Sequence, residues 1–167
     1  TFVHVARYTS SSVQKRIFDG NDVNWLSGYW NGNVGVAYHE NWITSSSPPN
    51  DSGNASNNSE GWSIIIDRHN SLRYQGKSIS PTGNASGNGP TRITINYGRY
   101  GNGQTTYTNK ETSPFEVAEV LFFNEELPDV VCEKIEQYLS YKYQISLNYD
   151  SATSPYNSVP TIMGTVT

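Results

Sequence analysis

From the first residues to about position 123, apolar and polar side chains alternate in short runs, with turn-forming residues roughly every ten positions. This period of two places alternate side chains on opposite faces, the pattern of antiparallel sheets stacked as a sandwich. It predicts strands near 2–8, 13–18, 23–30, 34–39, 62–67, 71–75, 92–97 and 115–123. Asn31-Gly32-Asn33 lies between two aromatic-rich runs, and Asn and Gly tolerate the positive φ angles of a tight hairpin. Asn70-Ser71 turns the run around Ile64 back into the one around Leu72. Ile93, Ile95 and Tyr97 alternate with Thr94 and Asn96, as a strand with one wet face does.

Three stretches break the alternation. Residues 44–61 and 81–90 hold Ser, Asn, Gly, Pro and Thr almost exclusively, so both are expected to be exposed loops. The run from Leu127 to Tyr143 changes to helical spacing, with Pro128 and Asp129 suited to a first turn. It predicts a helix over about 128–142 whose stripe Val131, Ile135, Tyr138, Leu139 and Lys142 lies on the sandwich, the Lys142 stem packed and its ammonium in water. Beyond Tyr149 the chain reads as a linker, and 161–167 as a possible terminal strand. The expected organisation is therefore one domain over 1–149, all-β with a single C-terminal amphipathic helix, followed by a tail over 150–167.

Charge and composition narrow the function. Lys and Arg number 11 against 15 Asp and Glu, and the net charge is -4. No basic stripe exists to neutralise phosphates, so nucleic acid is not an expected partner, and electrostatic docking on anionic lipid is disfavoured too. The longest apolar runs, Ile64-Ile65-Ile66 and Val120-Leu121-Phe122-Phe123, are far short of the roughly 20 residues of a spanning helix. Neutral polar residues rather than charges supply solubility, which fits an extracellular or cell-surface β protein. Cys132 is the single cysteine, which excludes an intrachain disulfide and a cysteine-based zinc site; its neighbours Ile135 and Leu139 suggest a buried structural thiol. The first residues already read as a strand, so the sequence is expected to be a trimmed product or a piece of a longer chain.

The segment Phe115-Glu116-Val117-Ala118-Glu119-Val120-Leu121-Phe122-Phe123-Asn124-Glu125-Glu126-Leu127-Pro128, running on to Tyr138-Leu139-Ser140-Tyr141-Lys142-Tyr143, resembles the closing strand and helix of laminin-G-like jelly rolls of the concanavalin-A-like lectin and glucanase superfamily. Arg16-Ile17-Phe18-Asp19-Gly20 and Trp25-Leu26-Ser27-Gly28-Tyr29-Trp30 fit the same pattern earlier in the chain. The resemblance covers about 2–145 and implies a two-sheet jelly roll. Such domains usually carry further strands ahead of the position of Thr1, which implies an open edge. A separated fragment or a neighbouring subunit would fill it by strand donation, and 161–167 is a candidate donor for head-to-tail assembly.

Some relatives in that superfamily hydrolyse β-glucans with paired carboxylates on one strand as Glu-x-Asp-x-x-Glu. That spacing is missing here, and Glu116 and Glu119, three apart, should face opposite sides of a strand; Glu119 is expected to accept hydrogen bonds. His4, His39 and His69 form no metal-binding motif, and Gly98-Arg99-Tyr100-Gly101-Asn102-Gly103 lacks the Lys-Ser/Thr and helix of a phosphate loop. The chain is thus not expected to be an enzyme or to need a cofactor. Calcium, which the resemblance implies as a possibility, would take Asp19, Asn21 and Asp22, although these residues read more readily as a polar turn. Exposed aromatics stack on the apolar faces of sugars, and Trp30, Tyr38, His39 and Trp42 are the candidates for ligand contact. Asn50, Asn54, Asn57 and Asn84 each begin an Asn-x-Ser/Thr glycosylation sequon. The expected function is recognition or adhesion through glycans or glycoproteins, with two rivals: a structural subunit of a glycosylated filament built by strand exchange among identical subunits, and a degenerate glycoside hydrolase.

Overall fold

A computed structural model describes residues 1–46, 61–86, 89–98 and 111–148. The strands among these residues, in chain order, are β1 (Phe2–Tyr8), β2 (Phe18–Gly20), β3 (Trp25–Trp30), β4 (Asn33–His39), β5 (Ser63–Arg68), β6 (Ser71–Tyr74), β7 (Lys77–Ile79), β8 (Ile93–Ile95) and β9 (Phe115–Phe122), followed by α1 (Asp129–Tyr143). They form two antiparallel sheets, one in the order β7-β6-β5-β1-β9 and the other β4-β3-β2-β8. The all-β sandwich with one C-terminal helix is thus as expected.

Alternation explains how one sheet serves two layers. In β1 and β5, Val3, Val5, Ile64 and Ile66 point to the helix side and pack with Leu127, Cys132, Leu139 and Ile145. The intervening Phe2, Ala6 and Ile65 point to the second sheet and pack with Phe18, Trp25, Tyr29 and Ala37. The Ile64-Ile65-Ile66 run is apolar because both faces of that strand are covered, each large side chain contributing about 1.5–3 kcal/mol on burial.

Asn31 (φ 46°) and Gly32 (φ 84°) make the two-residue turn between β3 and β4, as their side chains predict. A second turn of this kind, Gln75 (φ 46°) and Gly76 (φ 92°), folds β6 onto β7, a strand the alternation did not reveal because it is three residues long. The strand expected over 13–18 is not formed. Only Phe18–Gly20 joins the sheet, whereas the Arg16 amide donates to the Glu111 carbonyl (3.0 Å) and the Lys15 amide to Ser113 Oγ, so this stretch is tied to a neighbouring segment outside the ladder. The strand expected over 92–97 shortens to Ile93–Ile95, ending where Asn96 turns to φ 54°.

The helix also sits differently about its axis. Its buried positions are Cys132, Glu136 and Leu139, while Tyr138 of the predicted stripe is 54% exposed. The cause is an ion pair. Glu136 Oε2 accepts from Nε (3.1 Å) and Nη2 (2.8 Å) of Arg73, and Oε1 accepts the Gly76 amide (3.1 Å). Arg73 also donates to Ser78 Oγ and the Gly76 carbonyl, and Arg68 pairs with Asp129 at 2.7 Å. With three donors on its two oxygens, a carboxylate can occupy the helix–sheet interface.

Among the described strands β9 lies at the edge of its sheet, and it contains an irregularity: Val5 pairs with Glu119 and Ala6 with Val117. The extra residue, Ala118, is a β-bulge. It overturns the expectation that Glu116 and Glu119 face opposite sides, because the inserted residue shifts the alternation by one. Glu116 opposite Arg7 and Glu119 opposite Val5 now share the helix side. The sequons at Asn50, Asn54 and Asn57, the turn over 99–103 and the tail 150–167 lie outside the described residues. No described helix is long and apolar enough to cross a membrane.

Candidate ligand cleft between the sheets

The four predicted contact residues go to three places. Trp30 ends β3 beside the hairpin, with Lys15 Nζ at 5.9 Å and Arg16 Cζ at 5.3 Å from its ring centroid, so cations already occupy its surroundings. Tyr38 and Trp42 lie toward the other end of β4, their rings edge to face at 5.1 Å. His39 follows Tyr38 and therefore points the opposite way, into the sandwich. It is His39 that leads to a cavity.

Where β1, β3, β4 and β5 end together lies a cleft of about 210 Å³ lined by Phe2, Trp25, His39, Asp67, Ile93 and Phe122 together with Arg68, His69 and Phe123. His39 stacks on Trp25 (5.3 Å, 14° between planes). Its Nδ1–H donates to the His69 carbonyl at 2.8 Å and its Nε2–H to Asp67, both of whose oxygens lie 3.2 Å away. The His69 carbonyl and the Asp67 carboxylate are both acceptors, so the doubly protonated imidazole is the form whose two N–H groups this arrangement satisfies. Burial works against that charge, but the Asp67 carboxylate and the hydrogen bonds from Asp67 and His69 outweigh it and hold the pKa above the ordinary histidine value. Phe122 is 63% exposed while one face stacks on Phe2 at 4.8 Å.

No family model, curated protein or solved structure matches the chain.

Of the lining residues, sequence reasoning found His39 alone. The signals for the others were present but weak: Asp67 is an acid directly after three isoleucines, and Phe122-Phe123 puts two rings on opposite faces of one strand. What joins them is long-range pairing, Phe2 with both Asp67 and Phe122, which no local spacing announces.

The candidate calcium turn is committed to protein donors. Asp19 is buried, with Oδ1 accepting from Thr94 Oγ1 (2.8 Å) and Oδ2 from the Gly98 amide (3.2 Å). Asp22 accepts the amide and hydroxyl of Thr91, bonds that hold its pKa below the usual aspartate value, and the Asn21 amide donates to the Arg92 carbonyl. A cation here would compete with Thr91, Thr94 and Gly98 for the same oxygens. Among the described residues, no group of three or more His, Cys, Asp or Glu is placed to hold a metal. Asn84 is exposed on the loop beside Asn41, whose Nδ2 donates to the Asn84 carbonyl. Glu119 accepts from Lys142 Nζ and the Tyr143 hydroxyl, both at 2.9 Å, and Glu116 pairs with Arg7 at 2.7 Å. Each of these two acids is thus neutralised by a local partner.

Proposed function

We propose that this chain is a laminin-G-like jelly-roll module that acts outside the cell by binding glycans or glycoproteins and carries out no chemistry on them. The observation that carries the reading is the cleft: an exposed aromatic ring, apolar walls, and a buried polar pair. Sugars have this mixed character, with C–H faces that stack on rings and hydroxyls that need directed acceptors. Hydrolysis would need two carboxylates across a scissile bond. Asp67 is the one acid among the described lining residues, and its charge is matched by His39. Binding without bond breaking is what such a lining supports.

A glycan array probed with the full chain tests this, with product analysis on the bound sugars. Reproducible binding to a related set of glycans, without sugar release, is expected. Binding to none overturns the reading, and release that disappears on a single acid substitution reinstates the hydrolase.

One feature favours the structural alternative. No described strand lies beyond β9, and Ile95 and Phe122 along that side are half or more exposed, so a strand from an identical subunit would find both backbone partners and apolar cover. Solution mass separates the two: a monomer at micromolar concentration fits the binder, and open-ended polymers fit the filament.

A further inference from the structure

We infer that β9 is a self-association edge: it pairs antiparallel with the β9 of a second copy of this chain about a two-fold axis, whatever the cleft binds. Among the described residues β9 pairs with β1 alone, so the backbone N–H and C=O groups on its outer side are open to another strand. Edge strands are ordinarily guarded by Lys, Pro or unanswered charge. From Phe115 to Phe122 there is no Lys, Arg or Pro, and both acids are neutralised within the chain, Glu116 by Arg7 at 2.7 Å and Glu119 by Lys142 at 2.9 Å.

The edge is also complementary to itself. The bulge at Ala118 brings Phe115, Val117, Val120 and Phe122 to one face, since they lie opposite Tyr8, Ala6, His4 and Phe2 of β1, all buried between the sheets. These four apolar positions are symmetric about the midpoint of the strand. Across a two-fold axis Phe115 meets Phe122 of the partner subunit and Val117 meets the partner's Val120, each pair occurring twice. Glu116 then faces the partner's Leu121 and Glu119 the partner's Ala118, so no like charges are opposed. The bulge falls at the axis, where the Ala118 carbonyl accepts the Tyr143 hydroxyl (3.2 Å), and the ladder forms in two equal halves on either side.

Apolar surface along this side gives the pairing its driving force. Phe122 and, on β8, Ile95 are exposed large hydrophobics, and Ile93, Phe115, Val117 and Val120 are partly buried although they pack on the core. Ile95 lies opposite the buried Phe18 and so faces the same inter-sheet layer as Phe122. A second copy seated against β9 covers this stripe. Because both subunits use the same edge, assembly closes at two and does not propagate as a strand-exchange filament does. A contact confined to one edge strand and the rings beside it is at the small end of interfaces, below about 1,200 Å² in total, so the dimer is weak, with half-association on the order of 100 µM.

Sedimentation equilibrium of the full chain from about 10 µM to about 1 mM tests this. A monomer–dimer equilibrium with nothing larger is expected, and Phe122→Lys should weaken it at least about tenfold; Phe122 is exposed, so this variant spares the fold. Register is tested by oxidising a mixture of Phe115→Cys chains and Phe122→Cys chains. The two-fold pairing predicts a disulfide between position 115 of one chain and position 122 of the other, at least about tenfold more abundant than the disulfide of either variant with itself, because facing strand residues lie within disulfide reach. Positions 115 and 122 stand at opposite ends of the strand, so other registers do not bring them together. Cys132 is buried, and peptide mapping separates any product it forms. A monomer at about 1 mM, species larger than a dimer, a dimer insensitive to Phe122→Lys, or cross-links in another register each overturn the two-fold edge. Glycan binding is read separately by the array and stands or falls on its own.

Discussion

His4 sits in the middle of the inter-sheet core, fully buried against Phe2 and Phe18, with Nε2 3.1 Å from Ser27 Oγ and Nδ1 without a partner. Burial alone pushes its pKa down to about 3, so it is neutral in the native state. Between pH 6.5 and that value the unfolded chain binds a proton that the native chain refuses. Stability therefore falls with pH in this window, by about 1.4 kcal/mol per unit. His39 has the opposite sign: its raised pKa gives stability that is complete below the unfolded value and is lost as pH rises through the folded one. Urea midpoints measured across pH 4–9 should peak near neutrality. His4→Leu should remove about 2 kcal/mol of the loss between pH 6.5 and 5, and His39→Gln should flatten the alkaline side; curves parallel to the parent's would contradict both assignments. Gly28 belongs to the same spot. It has φ +82°, and a Cβ there would lie 2.6 Å from His4 Cε1 and 2.7 Å from Ile65 Cδ1. Gly28→Ala is expected to cost more than about 2 kcal/mol in urea unfolding, and a change within experimental error would show that the two sheets yield easily at this point.

The Arg73–Glu136 pair decides which side of α1 meets the sheet. Glu136→Ala leaves the buried Arg73 guanidinium only Glu133 (3.7 Å) and Asp129 (3.8 Å) as charge partners and should destabilise the chain by about 3 kcal/mol, while the double change Arg73→Met with Glu136→Leu should return most of that. A double variant as unstable as the single one would mean that the pair is needed for packing and not only for its own charge balance. This element also shows where sequence reading stops. Val131, Ile135 and Leu139 identified the helix correctly through their spacing, but any hydropathy pattern sends Glu136 outward, since only a partner 63 residues away makes its burial tolerable. The bulge at Ala118 was invisible for a related reason, because an extra residue in β9 is defined by its register against β1 and not by its own composition. Hairpins were legible in proportion to their turn chemistry. Asn-Gly at 31–32 announced itself, whereas Gln-Gly at 75–76 adopts the same backbone with a side chain that prefers it less.

At the scale of the whole molecule, the described residues cover the sandwich on the helix side and through its centre and are most exposed along β8 and β9. Ile93, Val117 and Val120 are only partly buried there although they pack on the core. Phe122 contributes little to holding the sheets together because most of its ring faces solvent; Phe122→Ala should leave the urea midpoint within about 0.5 kcal/mol of the parent while it impairs binding. A residue that matters for ligand and not for stability is what a recognition surface contains. The cleft was hidden from sequence because it joins side chains from six strands, and none of them carries a motif. The proposed site of glycan recognition is the cleft between the ends of the two sheets. Chemical-shift mapping of the labelled chain with the best glycan from the array measures this directly. Perturbations centred on Trp25, His39, Asp67, Ile93 and Phe122, and lost in Phe122→Ala, are predicted; a footprint confined to the outer face of α1 or to Trp30, untouched by that substitution, would contradict it.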